Sequence, residues 1–89
     1  MKKLIKLEQP GCSPCFAVGK YLDNELEVGY TAVDVTEFPE VASHYEIASV
    51  PTVILIDVDV EDELIGKELA RSIKFNPEEL DVLAENLEG

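Results

Sequence analysis

The chain has 89 residues, of which 46% are hydrophobic and 29% charged, a composition typical of a globular protein rather than a disordered or fibrous one. Nineteen acidic residues against seven basic ones give a formal net charge of −12. Because such a charge repels nucleic acid and anionic membrane surfaces, we expect neither as a partner.

The length suits one domain spanning residues 1–89, since a chain of this size has no room for a second core. No segment approaches the roughly 20 apolar residues that a membrane-crossing helix needs. The opening MKKLIKL is broken by charged residues and no small-residue cleavage site follows it, so it does not resemble a secretion signal. We therefore expect a cytoplasmic protein.

The first half of the chain alternates between strand and helix patterns. Residues 2–8 and 29–35 show strand alternation. Between them, apolar residues recur at spacings of three and four, which predicts a helix with one buried stripe, ended by Gly29. The members of that stripe are Cys15, Val18, Leu22 and Leu26. Gly19, inside this helix, permits close packing at a cost of about 1 kcal/mol relative to alanine.

The second half begins with Pro39, which is tolerated only in a first helical turn and predicts a short helix there. Residues 52–58 are apolar on both faces, as a central strand must be. After an acidic turn, residues 64–72 form a weaker strand with Gly66 inside it.

The last helix has the clearest start signals. Asn76 is the expected N-cap, Pro77 occupies the first position and Glu79 supplies half of a capping box. The element order is therefore βαβαββα, which predicts an α/β fold: a four-stranded mixed sheet with helices on both faces.

The two cysteines, Cys12 and Cys15, lie between the first strand and the first helix. Unpaired amides at a helix start favour a thiolate, so we expect the Cys12 thiol to have a pKa below the free value of roughly 8.5 and Cys15 to be more buried. Redox chemistry is the favoured interpretation. A metal site would need more ligands than His44 can add, and a purely structural disulfide would close a very short loop in a reducing compartment.

A second feature is Pro51, directly before the predicted central strand. A proline there cannot donate to the strand ladder and marks its first residue. A cis Val50–Pro51 bond would turn the Val50 backbone toward the sulfurs, although an ordinary trans proline at a strand edge is the commoner case.

These features together resemble the thioredoxin superfamily along nearly the whole chain, in a minimal, glutaredoxin-sized form. The Cys12-Ser13-Pro14-Cys15 motif is similar to the C-G-P-C of thioredoxins, and residues 45–52 are similar to their Y-x-I-x-x-(I/V)-P-T. The resemblance implies that Cys12 is the nucleophile, that Cys15 resolves the mixed disulfide and that Pro51 is cis.

The same resemblance implies that the Val50 backbone pairs with an extended substrate. Other substrate contacts would come from Pro51 and from the cysteine turn: Gly11, Ser13 and Pro14. It further implies a monomeric thiol-disulfide oxidoreductase that works in electron transport and cell redox homeostasis without a cofactor or metal. Its partners would be disulfide-containing proteins and a flavin-dependent thioredoxin reductase.

Three positions depart from the family patterns. Thioredoxins carry a tryptophan where this chain has Gly11 and a buried aspartate where it has Lys6, while glutaredoxins carry a lysine where it has Gln9. If Lys6 points toward Cys15, its ammonium would favour a thiolate directly; alternatively, its head reaches solvent. A glutathione-dependent glutaredoxin and a non-catalytic binding module with the same fold stay open as alternative functions.

Overall fold

The computed structural model describes residues 1–88. Its element order agrees with the predicted βαβαββα. The strands are β1 (Lys2–Glu8), β2 (Thr31–Asp34), β3 (Thr52–Asp57) and β4 (Lys67–Ile73). The helices are α1 (Ser13–Lys20), which continues into a π-helical turn (Tyr21–Glu25), α2 (Pro39–His44) and α3 (Pro77–Glu88).

The four strands form one mixed sheet in the order β2-β1-β3-β4. β1 is parallel to β2 and antiparallel to β3, and β3 is antiparallel to β4. A crossover through a helix joins the parallel pair, whereas a hairpin joins the last two strands. The prediction of a mixed sheet with residues 52–58 in its interior is confirmed.

Each face of the sheet carries its own hydrophobic core. On one face, Leu4 of β1 packs with residues of β3, α1 and α3. On the other face, the neighbouring residues Ile5 and Leu7 pack with β3, Val41 of α2 and Tyr45. Successive residues of a strand point to opposite faces, so β1 contributes to both cores. Helices on both faces are therefore confirmed.

Several predicted boundaries shift. The first helix ends before Gly29: the Leu26 amide donates to the Tyr21 carbonyl (3.1 Å) in the π-helical turn, and Glu27 has a positive φ of 51°. Strand β2 is shorter than residues 29–35, and β4 begins after Gly66 instead of containing it.

The start of α3 follows the predicted signals in part. The Asn76 side chain accepts a hydrogen bond from the Glu79 amide (3.2 Å), as an N-cap should. Glu79 does not complete a capping box. Its carboxylate instead accepts a hydrogen bond from the buried Ser72 hydroxyl (3.2 Å), so this side chain joins the helix to β4.

Tyr45 anchors the segment that precedes β4. Its hydroxyl donates to the Leu64 carbonyl (2.9 Å) and accepts from the Gly66 amide (2.9 Å). Burial raises the pKa of Tyr45, so the phenol stays protonated near neutral pH. The side chain thereby fixes the loop that leads into the last strand.

Candidate active site

The cysteine turn joins the end of β1 to the start of α1. Cys12 is the N-cap of α1, and its Sγ accepts a hydrogen bond from the Cys15 amide (3.2 Å). The two cysteines form a disulfide across a Cα–Cα distance of 5.2 Å. Cys15 is 4% exposed whereas Cys12 is only half-buried. The predicted position at the helix start and the predicted difference in burial are both confirmed.

The other residues of the turn are placed by backbone geometry. Pro14 lies in the first turn of α1 beside Ser13, where a proline costs no helical hydrogen bond. Gly11 has a φ of +74° and nothing lies within 4 Å of the position that a Cβ would take. A left-handed conformation favours glycine, so this residue lets the chain enter the helix sharply.

Lys6 points inward, beneath α1. Its side chain is 7% exposed, and its Nζ lies 2.7 Å from Glu8 Oε1. The same Nζ donates to the Cys15 carbonyl oxygen (3.3 Å) and lies 5.4 Å from the ring centroid of Tyr30. The alternative that the lysine head reaches solvent is wrong, because a salt bridge, a carbonyl and an aromatic ring hold the ammonium inside.

Glu8 is the residue of this site that the sequence analysis missed. It follows Lys6 by two positions in β1, so strand alternation places both side chains on the same face of the sheet. That periodicity was the available signal. A polar residue at the end of a strand is common, however, so Glu8 alone does not indicate a functional site. In the structure the Glu8 side chain is 32% exposed, and its carboxylate links the buried ammonium to solvent.

Tyr30 closes the other side of the lysine head. Desolvation is the largest cause of the raised pKa of Tyr30, and the neighbouring carboxylates of Asp23 and Glu8 add to it. The phenol is therefore neutral at physiological pH and donates weakly to Asp23 (3.4 Å). A neutral ring face near an ammonium gives a favourable cation–π interaction.

Pro51 lies at the same end of the sheet as the cysteine turn. Leu7, near the end of β1, pairs with Thr52 at the start of β3. The Val50–Pro51 peptide bond is cis, as the resemblance implied. The Pro51 carbonyl accepts a hydrogen bond from the Lys74 amide (2.8 Å), which ties this turn to the end of β4.

Comparison with known proteins identifies the family. The chain is 44% identical over 85 residues to the SPbeta prophage-derived thioredoxin-like protein YosR of Bacillus subtilis (strain 168), across 96% of this chain and 98% of that protein. The chain belongs to the thioredoxin-like family. No family model matches it.

Two further proteins that resemble this chain are named thioredoxins. Thioredoxin-2 of Pyricularia oryzae is 35% identical over 60 residues, or 62% of this chain and 35% of that protein. The crystal structure of oxidised mitochondrial thioredoxin 3 from Saccharomyces cerevisiae superposes with a TM-score of 0.75 and 24% identity, covering 97% of this chain and 78% of that one. The latter likeness establishes the thioredoxin fold. Fold and disulfide together support thiol-disulfide oxidoreductase chemistry in general.

An open cavity lies at the site of this thioredoxin-like protein. It has a volume of about 540 Å³ and lies beside the disulfide, between the end of β1 and the start of α1. Its lining comprises Lys6, Glu8, Gln9, Gly11, Cys12, Ser13, Cys15 and Phe16. The structure thus brings both cysteines, the lysine and two of the turn residues around one space.

The remaining predicted contacts lie elsewhere. Pro14, Val50 and Pro51 are not among the residues that line this cavity. Within residues 1–88, no group of three or more His, Cys, Asp or Glu residues is placed to hold a metal ion. In the same part of the chain, no helix is long and apolar enough to cross a membrane.

Gly19 makes the room that the buried lysine occupies. A Cβ at this position would lie 2.8 Å from Lys6 Nζ and 3.2 Å from the Tyr30 hydroxyl. We expect Gly19→Ala to displace the ammonium and to gain none of the roughly 1 kcal/mol that alanine normally contributes inside a helix. The free energy of unfolding in urea tests this expectation. Gly19→Ala is made both in the wild type and in a Lys6→Ala background.

In the Lys6→Ala background the contact with Nζ is gone and only the Tyr30 hydroxyl at 3.2 Å remains, so the same substitution is expected to be more favourable there by about 0.5–1 kcal/mol. An equal gain in both backgrounds would contradict this steric role of Gly19.

Proposed function

We propose that the protein is a dithiol reductant of protein disulfides. The observation that carries the proposal is the Cys12–Cys15 disulfide at the start of α1, with Cys12 half-buried and Cys15 buried. A thiolate at a helix N-terminus is stabilised by the helix dipole and by unpaired amides. The half-buried cysteine can therefore meet a substrate while its partner stays protected.

The reaction has two exchange steps. The Cys12 thiolate attacks one sulfur of a substrate disulfide, forming a mixed disulfide and releasing the other substrate sulfur as a thiolate. The Cys15 thiolate then attacks Cys12 Sγ, which forms the intramolecular disulfide and releases the second substrate thiolate. Two electrons pass to the substrate, and the protein ends in the disulfide state.

Substrate contacts are proposed on both sides of the sulfurs. Val50 would offer its backbone to an extended peptide as an added strand does, next to Pro51. Gly11, Ser13 and Pro14 would contact the chain that carries the disulfide. Exposure of the turn and the position of Pro51 at the same end of the sheet support this arrangement.

Before the protein can act again, a thiol donor must reduce its disulfide. We propose a thioredoxin reductase as that donor, disulfide-containing proteins as substrates, a monomeric state and a cytoplasmic location. The likeness to the thioredoxin-like protein of Bacillus subtilis supports disulfide-containing proteins as substrates, and the net charge of −12 disfavours nucleic acid or an anionic membrane as partner.

Reduction of insulin tests the function. We expect the protein to accelerate the precipitation of insulin chains by dithiothreitol, and Cys12→Ser to remove the acceleration completely, because the attacking sulfur is gone. Parallel assays with a thioredoxin reductase and NADPH, and with glutathione and glutathione reductase, identify the electron donor.

The outcomes of these assays distinguish the candidate functions. Turnover with the glutathione system alone would replace the thioredoxin-type assignment by the glutaredoxin one. No acceleration in any assay would overturn the enzymatic proposal and leave a binding module with idle cysteines.

A further inference from the structure

The pairing of Lys6 with Glu8 places two opposite charges next to the disulfide. The ammonium is buried, and it contacts the backbone of Cys15 directly. Both side chains line the cavity that also contains the two cysteines. The local charge on this side of the sulfurs is therefore set by two residues of one strand.

The two residues differ in their access to solvent. Lys6 is 7% exposed, so its charge is poorly screened, whereas Glu8 is 32% exposed. A buried ammonium without a counterion is costly, and its effect on a neighbouring group is larger than in water. Besides the cysteines, the other titratable groups facing this pair are Tyr30 and, behind it, Asp23, and the Tyr30 phenol is neutral.

Neutralisation by Glu8 has a chemical consequence for the dithiol. An unpaired ammonium at this point would stabilise a cysteine thiolate and hence the reduced form, which makes a disulfide easier to reduce. We infer that Glu8 is a positioning residue that holds and neutralises the Lys6 ammonium, and thereby keeps the Cys12–Cys15 pair a reductant. This rests on the proposed dithiol function.

Four proteins of defined local charge test the inference. Glu8→Gln leaves the ammonium alone and gives a local charge of +1. Lys6→Met leaves the carboxylate alone and gives −1. The wild type and the double variant Lys6→Met/Glu8→Gln are both neutral. Glu85→Gln, an exposed residue of α3, is the matched control because it changes the net charge equally but away from the site.

The measurement is the ratio of dithiol to disulfide protein at equilibrium in a glutathione redox buffer at pH 7. We expect Glu8→Gln to shift the equilibrium constant about tenfold toward the dithiol, equivalent to about 30 mV for a two-electron couple. Lys6→Met should shift it toward the disulfide. The double variant and Glu85→Gln should both lie within about twofold of the wild type.

Opposite shifts of the equilibrium constant in the two single variants indicate an effect of charge. A general loss of packing would shift the equilibrium constant in the same direction in both variants. Shifts in the same direction, or none above twofold, would overturn the inference. If Glu8→Gln fails to fold, the comparison of Lys6→Met with the double variant decides, because removing the carboxylate must then move the equilibrium back toward the dithiol. The equilibrium is measured on the protein's own disulfide, so a protein inactive on insulin can still satisfy or fail this test.

Discussion

Replacing Cys15 by serine is expected to arrest the proposed reaction at the mixed disulfide. Cys12 can still attack a substrate disulfide, but the buried sulfur that would release the product is missing. Release then depends on a thiol from solution, which lacks the high effective concentration of a group fixed in the same turn. We expect turnover of insulin to fall by about two orders of magnitude or more.

The trapped species is the diagnostic observation. Intact-mass spectrometry under non-reducing conditions should show Cys15→Ser joined covalently to a substrate chain, with the adduct removed by dithiothreitol. Cys12→Ser is the matched control and should form no such adduct, because Cys15 is 4% exposed. Adducts of equal amount in both variants would contradict the assignment of Cys12 as the attacking sulfur.

Replacing Gly66 by alanine is expected to be strongly destabilising. A Cβ at this position would collide with the Asp57 carbonyl oxygen of β3 and lie 2.6 Å from Val58 Cγ1. Gly66 cannot move aside freely, since its amide donates to the Tyr45 hydroxyl. Forcing a methyl group into such a contact costs about 2–3 kcal/mol, which lowers the melting temperature of a domain of this size by about 8 °C or more.

Gly29→Ala provides the control for that substitution. No heavy atom lies within 4 Å of a Cβ built on Gly29, so alanine there only reduces the freedom of the unfolded chain and should change the free energy of unfolding by less than about 1 kcal/mol. Thermal unfolding followed by circular dichroism compares the two variants. Equal melting temperatures would mean that the Gly66 contact relaxes without cost.

Periodicity and cap signals were sufficient to predict the fold. The alternation in residues 2–8 and the Asn76-Pro77 start are local patterns, and local patterns determine where elements begin. The end of the first helix was predicted less well. The π-helical turn at Tyr21–Glu25 is not signalled by residue spacing, so Gly29 was a reasonable but incorrect stop.

Part of the candidate site could likewise be predicted from the sequence, and part could not. The positions of Cys12, Cys15 and Pro51 follow from motifs close in sequence to the elements that hold them. The orientation of Lys6 could not be predicted, because it depends on Glu8, Gly19 and Tyr30, which converge only when β1, α1 and the start of β2 pack together. A carboxylate at the end of a strand has no distinguishing pattern until its partner is known.

The packing of β1 against the much later strand β3 determines when the protein can fold during synthesis. Of the four strands described, β1 is synthesised first, yet it lies inside the sheet, and both hydrophobic cores need residues of β3. Neither face can therefore close before residue 57 has emerged, and contacts of such long sequence separation form late. The two cysteines emerge much earlier. The nascent chain thus exposes Cys12 and Cys15 for an interval in which the surrounding structure that would control their reactivity does not yet exist.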